Sequence, residues 1–110
     1  MSEHAPDLSK AAQDLVELIA NQPGAVVSRV LINKPAGTVT LFAFGAGEGL
    51  SQHAAPYDAL VHVLEGQANI RIAADDHEVK AGQVLLLPAN IPHALRAHIP
   101  TKMLLTMIRV

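Results

Sequence analysis

The sequence predicts an all-β fold, a sandwich or small barrel of short strands preceded by one helix. Three observations carry this. From about residue 25 onward the apolar residues alternate with a period of two; Gly or Pro interrupts the pattern at short, regular intervals; and no helical period returns between strands, as a βαβ protein would require.

The one helical pattern lies at the N-terminus. Leu8, Ala11, Ala12, Leu15, Val16, Leu18 and Ile19 recur at spacings of three and four, which predicts an amphipathic α-helix between Leu8 and Ala20. Asp7 or Ser9 can cap its start, and Asn21, Pro23 and Gly24 stop it. Strands are then expected at about 25–33, 38–45, 58–64, 68–73, 77–80, 83–87, 93–98 and 102–109. Between them stand the turns Lys34-Pro35-Ala36-Gly37, Glu65-Gly66, Ala74-Asp75-Asp76, Ala81-Gly82, Pro88 to Pro92 and Ile99-Pro100. So many short strands must close their edges or expose them, and closure into a sandwich or barrel is the physical solution. The chain divides into a tail and helix over 1–24 and a barrel over 25–110, within one domain of 110 residues.

Composition excludes several function classes. Half the residues are hydrophobic, 16% are charged and the net charge is -2, so no basic field exists to hold nucleic acid. Aromatic residues make up only 3%, with no Trp, which leaves no stacking platform for bases. There is no cysteine, hence no disulfide, thiolate metal site or cysteine nucleophile. The opening MSEHAPDLSK is polar and acidic, unlike a signal peptide, and the apolar runs Val84 to Leu87 and Met103 to Leu105 fall far below the ~20 residues of a membrane span. A cytoplasmic protein without membrane or nucleic-acid partners is expected.

Two stretches carry chemistry. From Gly47 the chain runs five residues to His53 and on to Gly66; from Gly82 it runs five residues to Pro88 and on to His93. This frame resembles the cupin superfamily, whose motifs are G-x5-H-x-H-x3-E-x6-G and G-x5-P-x-G-x2-H-x3-N, over roughly residues 37–98. The resemblance implies a cupin jelly-roll barrel (double-stranded β-helix) with one N-terminal α-helix. His53 and His93 stand at family ligand positions, whereas Ala55 replaces the second His, Ala59 the Glu, Asn90 the Gly and Ala97 the terminal Asn. Asn tolerates a left-handed backbone better than most residues, so Asn90 is a mild departure. The alanines are a serious one.

Side chains at i, i+2 and i+6 share a strand face, so positions 53, 55 and 59 are expected to point into the barrel, with Asp58 and His62 outward unless a bulge resets the alternation. The resemblance implies a possible divalent metal (Fe, Mn, Ni or Zn) on His53 and His93, with Asp58 or His62 as candidate third ligand. The same two histidines are the candidate catalytic residues if the protein is an enzyme. The expected pocket lining is Ala55, Ala59, Val61, Val63, Leu86 and Met103, mostly apolar, with Met103, Leu105 and Met107 on one strand face. Against these readings stand ordinary ones: His62 packing at a sheet or subunit contact, Asp58 and Tyr57 ending a loop, Met103 in the core, His77 in solvent beside Asp75-Asp76, and His4 and His98 without a role.

Three functions remain open. A small-molecule-binding cupin would hold a compact ligand between buried, neutral imidazoles that donate hydrogen bonds to a carbonyl, carboxylate or hydroxyl. A metal-dependent isomerase, epimerase or oxygenase would use the two histidines in catalysis. A non-catalytic, self-associating or sensor protein would keep them as relics. A homodimer is expected.

Overall fold

In a computed structural model of the chain, residues 2–3 and 6–110 are described; His4 lies outside them. Ten strands follow in order: β1 (Ser2–Glu3), β2 (Val26–Lys34), β3 (Gly37–Phe44), β4 (Gly49–His53), β5 (Asp58–Glu65), β6 (Gln67–Ile72), β7 (Asp75–Lys80), β8 (Val84–Leu87), β9 (His93–Arg96) and β10 (Thr101–Ile108). They form a six-stranded sheet, β1-β2-β3-β10-β5-β8, and a four-stranded sheet, β4-β9-β6-β7. The chain crosses between sheets after β3, β4, β5, β7, β8 and β9, which is the winding of a jelly roll. Among the described residues, no helix is long and apolar enough to cross a membrane.

The interior forms because alternate residues of both sheets meet. Ala59, Val61 and Val63 of β5, Met103 of β10 and Phe44 of β3 face Ala68 and Ile70 of β6 and Leu95 of β9 in one buried cluster. Burying a large aliphatic or aromatic side chain contributes roughly 1.5–3 kcal/mol, so these contacts dominate the closure. A second cluster lies on the outer face of the large sheet, where Val27, Leu41 and Ala43 are covered by Ile19 with Leu15 and Leu18.

That cover explains where the expected N-terminal helix fails. The stretch is helical only over the 3₁₀ turn Leu15–Leu18. A lone helix of about 13 residues is marginal in water. Here the sheet takes Leu15, Leu18 and Ile19 directly and leaves Leu8, Ala11 and Ala12 exposed. Cations from the sheet, not amides four residues on, satisfy the carbonyls: Lys102 Nζ donates to Val16 O at 2.7 Å, and Arg29 Nη1 to Leu18 O at 2.7 Å. Asn21 Nδ2 then ties the segment down through Phe44 O at 2.9 Å and Thr101 O at 3.2 Å.

The eight expected strands all form, and β4 joins them. It reads as a loop because GLSQH contains one large apolar residue and no sustained alternation. The β6–β7 turn also falls one residue earlier than expected, at Ala73-Ala74, where Ala73 adopts φ 53° so that Ile72 and Asp75 pair.

One turn closes the barrel end opposite the histidines. Gly66 has φ +80°, and a Cβ there would collide with the Pro100 carbonyl oxygen and meet Thr101 Oγ1 at 2.5 Å. Thr101, fully buried, donates from Oγ1 to the Ile99 or Gln67 carbonyl and accepts from Gln67 N at 3.1 Å. Thr101→Val keeps the shape but strands the Gln67 amide; the expected loss is about 1–3 kcal/mol of unfolding free energy, read from urea denaturation. Unchanged stability would show that water replaces the hydroxyl.

Candidate functional site

His53 is the last residue of β4 and His93 the first of β9, and the two are direct cross-strand partners. Their pairing depends on an irregularity. Leu50 opposes Leu95 and His53 opposes His93, so three steps along β4 match two along β9. The extra residue is a β-bulge, which re-aims the side chain beyond it. Without it, strict alternation would set Gln52 against His93. Gly49 lets the strands approach, since a Cβ there would collide with the Leu95 carbonyl and stand 2.9 Å from Arg96 Cα.

The two rings meet edge to face, with centroids 4.4 Å apart and planes at 71°, and the Nε2 atoms are 3.1 Å apart. Each Nδ1 faces a carbonyl two residues earlier: His53 to Ser51 O at 2.8 Å and His93 to Ile91 O at 3.3 Å. A carbonyl only accepts, which favours a hydrogen on each Nδ1, while the 3.1 Å contact requires one Nε2 to donate to the other, so the pair offers one donor and one acceptor between the two rings.

Beneath the rings lies a small cavity of about 30 Å³. Its walls are Leu50, Val61, Ile70, Leu87, Ala94, Leu95, Met103 and Leu105, with His53 and His93 as the polar groups. Val61 and Met103 sit where the sequence sets them. Val63 and Ala59 are buried deeper in the core and do not line it. Ala55 lies in the loop between β4 and β5, because positions 53, 55 and 59 belong to two strands in different sheets and not to one strand face. Leu86 points outward, 50% exposed, opposite Leu60; its neighbour Leu87 faces in, opposite Ala59. β8 reads Val-Leu-Leu-Leu, so its parity cannot be read from residue type. Leu50, Ile70 and Leu95 were not singled out by the sequence, although the alternation of β6 marks Ile70 as inward.

The two candidate third ligands lie elsewhere. Asp58 Oδ1 accepts from Ala89 N at 2.8 Å, fastening the loop after β8 onto β5. In the same loop Asn90 has φ 65°, the left-handed conformation its place in the motif suggests, and its amide donates to Ala55 O at 2.7 Å. His62 sits on the outer face of the large sheet between Leu104 and Val84. Among the described residues no three His, Cys, Asp or Glu side chains gather as a metal-binding group. A divalent ion normally takes three or more protein donors, one of them often anionic. The residues present do not fit that centre: two nitrogens converge, and alanines hold the remaining positions.

Burial, and next the neighbouring His53, hold the His93 pKa below its ordinary 6.5, against a smaller opposing effect of the Ile91 carbonyl.

The fold and site together define a jelly-roll barrel with a two-histidine pocket. The chain belongs to the cupin family: the cupin domain model matches residues 40–109. Solved structures agree. A conserved protein of unknown function from Streptococcus pyogenes, SPY1581, is 32% identical, with 91% of this chain and 88% of that chain covered and a TM-score of 0.87. A cupin superfamily protein from Desulfitobacterium hafniense is 26% identical over 96% of this chain and 95% of its own, also with a TM-score of 0.87. A cupin 2 conserved barrel domain protein from Leptotrichia buccalis is 40% identical over 84% of this chain, which spans 45% of that protein's length, with a TM-score of 0.82. No curated protein matches the sequence.

A His whose folded pKa is depressed contributes stability that is full above about 6.5 and is lost as pH falls, because the unfolded chain takes up the proton first. The melting temperature is expected to drop between about pH 7.5 and about pH 5.5, and to drop less in His93→Gln. Equal drops in the two proteins would mean that other groups set the acid sensitivity.

Proposed function

We propose that the protein is a small-molecule-binding cupin that seats a compact ligand with an apolar end in the cavity and a polar head at His53 and His93. The observation that supports this is the convergence of the two imidazoles, with Nε2 atoms 3.1 Å apart, at the mouth of a cavity whose other walls are apolar. A hydroxyl or amine, which can both donate and accept, matches a pair of imidazoles that offers one donor and one acceptor. The cavity admits only a methyl-sized group as it stands, so a longer tail has to move Leu50 or Leu105 aside.

Thermal-shift screening against small alcohols, amines, acids and sugars tests the reading. One class is expected to raise the melting temperature saturably, by the equivalent of about 2.7 kcal/mol at a hundred times its Kd. His53→Ala and His93→Ala are expected to weaken that ligand at least about tenfold while keeping the wild-type fold. Absence of any stabiliser would end the proposal. The same pocket argues against a divalent-metal enzyme: protein purified without chelator is expected to carry less than about a tenth of an equivalent of Fe, Mn, Ni or Zn, and a full equivalent would restore that reading.

The outer face of the large sheet favours self-association. Cross-strand rows there run Val39–Thr106–Leu60–Leu86 and Leu41–Leu104–His62–Val84, and Leu60, Val84 and Leu86 are all exposed. A homodimer through this face fits the rows, because a two-fold axis pairs an apolar patch with itself. Light scattering is expected to give twice the chain mass, and the chain mass itself for Leu60→Glu. A monomeric wild type would refute the dimer.

A further inference from the structure

We infer that the outer face of the small sheet carries a second binding site, a groove between Arg71 and Arg96 that takes the phosphate group of a small molecule. It is separate from the pocket at His53 and His93, so the two stand or fall independently.

The groove has a volume of about 390 Å³ and lies over β4, β9 and β6. Strand register builds it. Arg71 opposes Ala94 and Arg96 opposes Asn69, so the two arginines are diagonal neighbours, a spacing of about 7–8 Å. Ala94, set between them, carries only a methyl group and leaves the centre open. The bulge that turns His53 inward supplies another wall, because it leaves Ser51 and Gln52 outside the β4–β9 register and on the rim of the groove. Leu50, Ala94 and Leu95 line both this groove and the histidine cavity, which puts the two sites back to back across one layer of sheet.

Both guanidinium groups are pinned in place within the protein itself. Arg71 donates from Nε to Asp76 Oδ1 at 2.9 Å and from Nη2 to Oδ2 at 3.1 Å, and Arg96 donates from Nη1 to Gly47 O at 2.8 Å. An arginine has five N–H donors in a rigid fork, so each keeps donors unspent. Among the described residues, the side chains of Ser51, Gln52 and Asn69 have no hydrogen-bond partner, and all three line the groove. These are fixed cations beside uncommitted neutral donors.

Charge and span then choose the ligand. Two guanidinium groups face one carboxylate, Asp76, in the groove. Glu78, in register with Asn69, is matched by Lys80 at 3.6 Å, and Glu48 lines the adjoining hollow beyond Arg96. The local excess of positive charge favours an anion. A phosphate group has three strong acceptor oxygens and can bridge both arginines at once, whereas the two oxygens of a carboxylate are matched by a single fork.

NMR titration of the full ¹⁵N-labelled chain with inorganic phosphate, at constant ionic strength set by chloride, tests the site. Saturable shifts are expected at the Ser51, Gln52, Asn69, Arg71 and Arg96 amides, with one Kd of about 1 mM or tighter and acetate at least about tenfold weaker. Arg71→Gln and Arg96→Gln are each expected to weaken phosphate at least about tenfold. The wild-type titration decides without any variant: shifts that do not saturate, that spread over the whole surface or that centre on His53 and His93 would overturn the inference. So would acetate binding as tightly as phosphate, or an affinity unchanged in both variants.

Discussion

Two sheets that close face to face share one interior, and every strand must give alternate residues to it. The rest of the molecule follows from this constraint. On β5 it sends Ala59, Val61 and Val63 inward and leaves Leu60 and His62 on the outside; on β10 it sends Met103 and Leu105 inward and leaves Leu104 and Thr106 outside. The inner set fills the barrel. The outer set is partly covered by the N-terminal segment and otherwise forms an apolar face.

The site exists where the alternation is broken. One extra residue between Leu50 and His53 turns His53 to the face that His93 already occupies, and cross-strand geometry then brings the two rings into contact. The loops around them are tied by short-range polar links. Asp58 holds the Ala89 amide and Asn90 donates to Ala55 O, so the segments that carry the two motifs are fastened to each other and not only to their strands. Because the site is built on strand ends and braced loops, its two nitrogens are held in place before any ligand arrives, which lowers the entropy lost on binding.

The chemistry that results differs from that of a barrel with four ligand side chains. Two alanines remove donors and anionic charge together, so the pocket is left with two imidazoles and hydrophobic side chains. Such a surface rewards a ligand with a small polar head and an apolar tail. Asp58 and His62 do not refill the vacated positions. The first braces a loop and the second stands on the opposite face of its strand.

The sequence by itself determined eight of the strand segments, most of the turns between them and, through the motif frame, the candidacy of His53 and His93. Period-two alternation, punctuating Gly and Pro, and in-frame motif spacing are local properties, legible wherever one strand face is buried. Asn90 at φ 65° belongs with them, since its tolerance of that conformation is intrinsic. Tertiary structure alone decided the rest. It melted the Leu8 to Ala20 helix into one 3₁₀ turn, because the sheet offered Leu15, Leu18 and Ile19 a burial site and Arg29 and Lys102 took the carbonyls. It made a strand of GLSQH by pairing it with β9, and it chose Leu87 over Leu86 in a strand whose residues are too alike to carry a phase. A strand's partner and its inward face are set by the sheet that receives it, and a stretch of like residues, or one with a bulge, carries no local record of either.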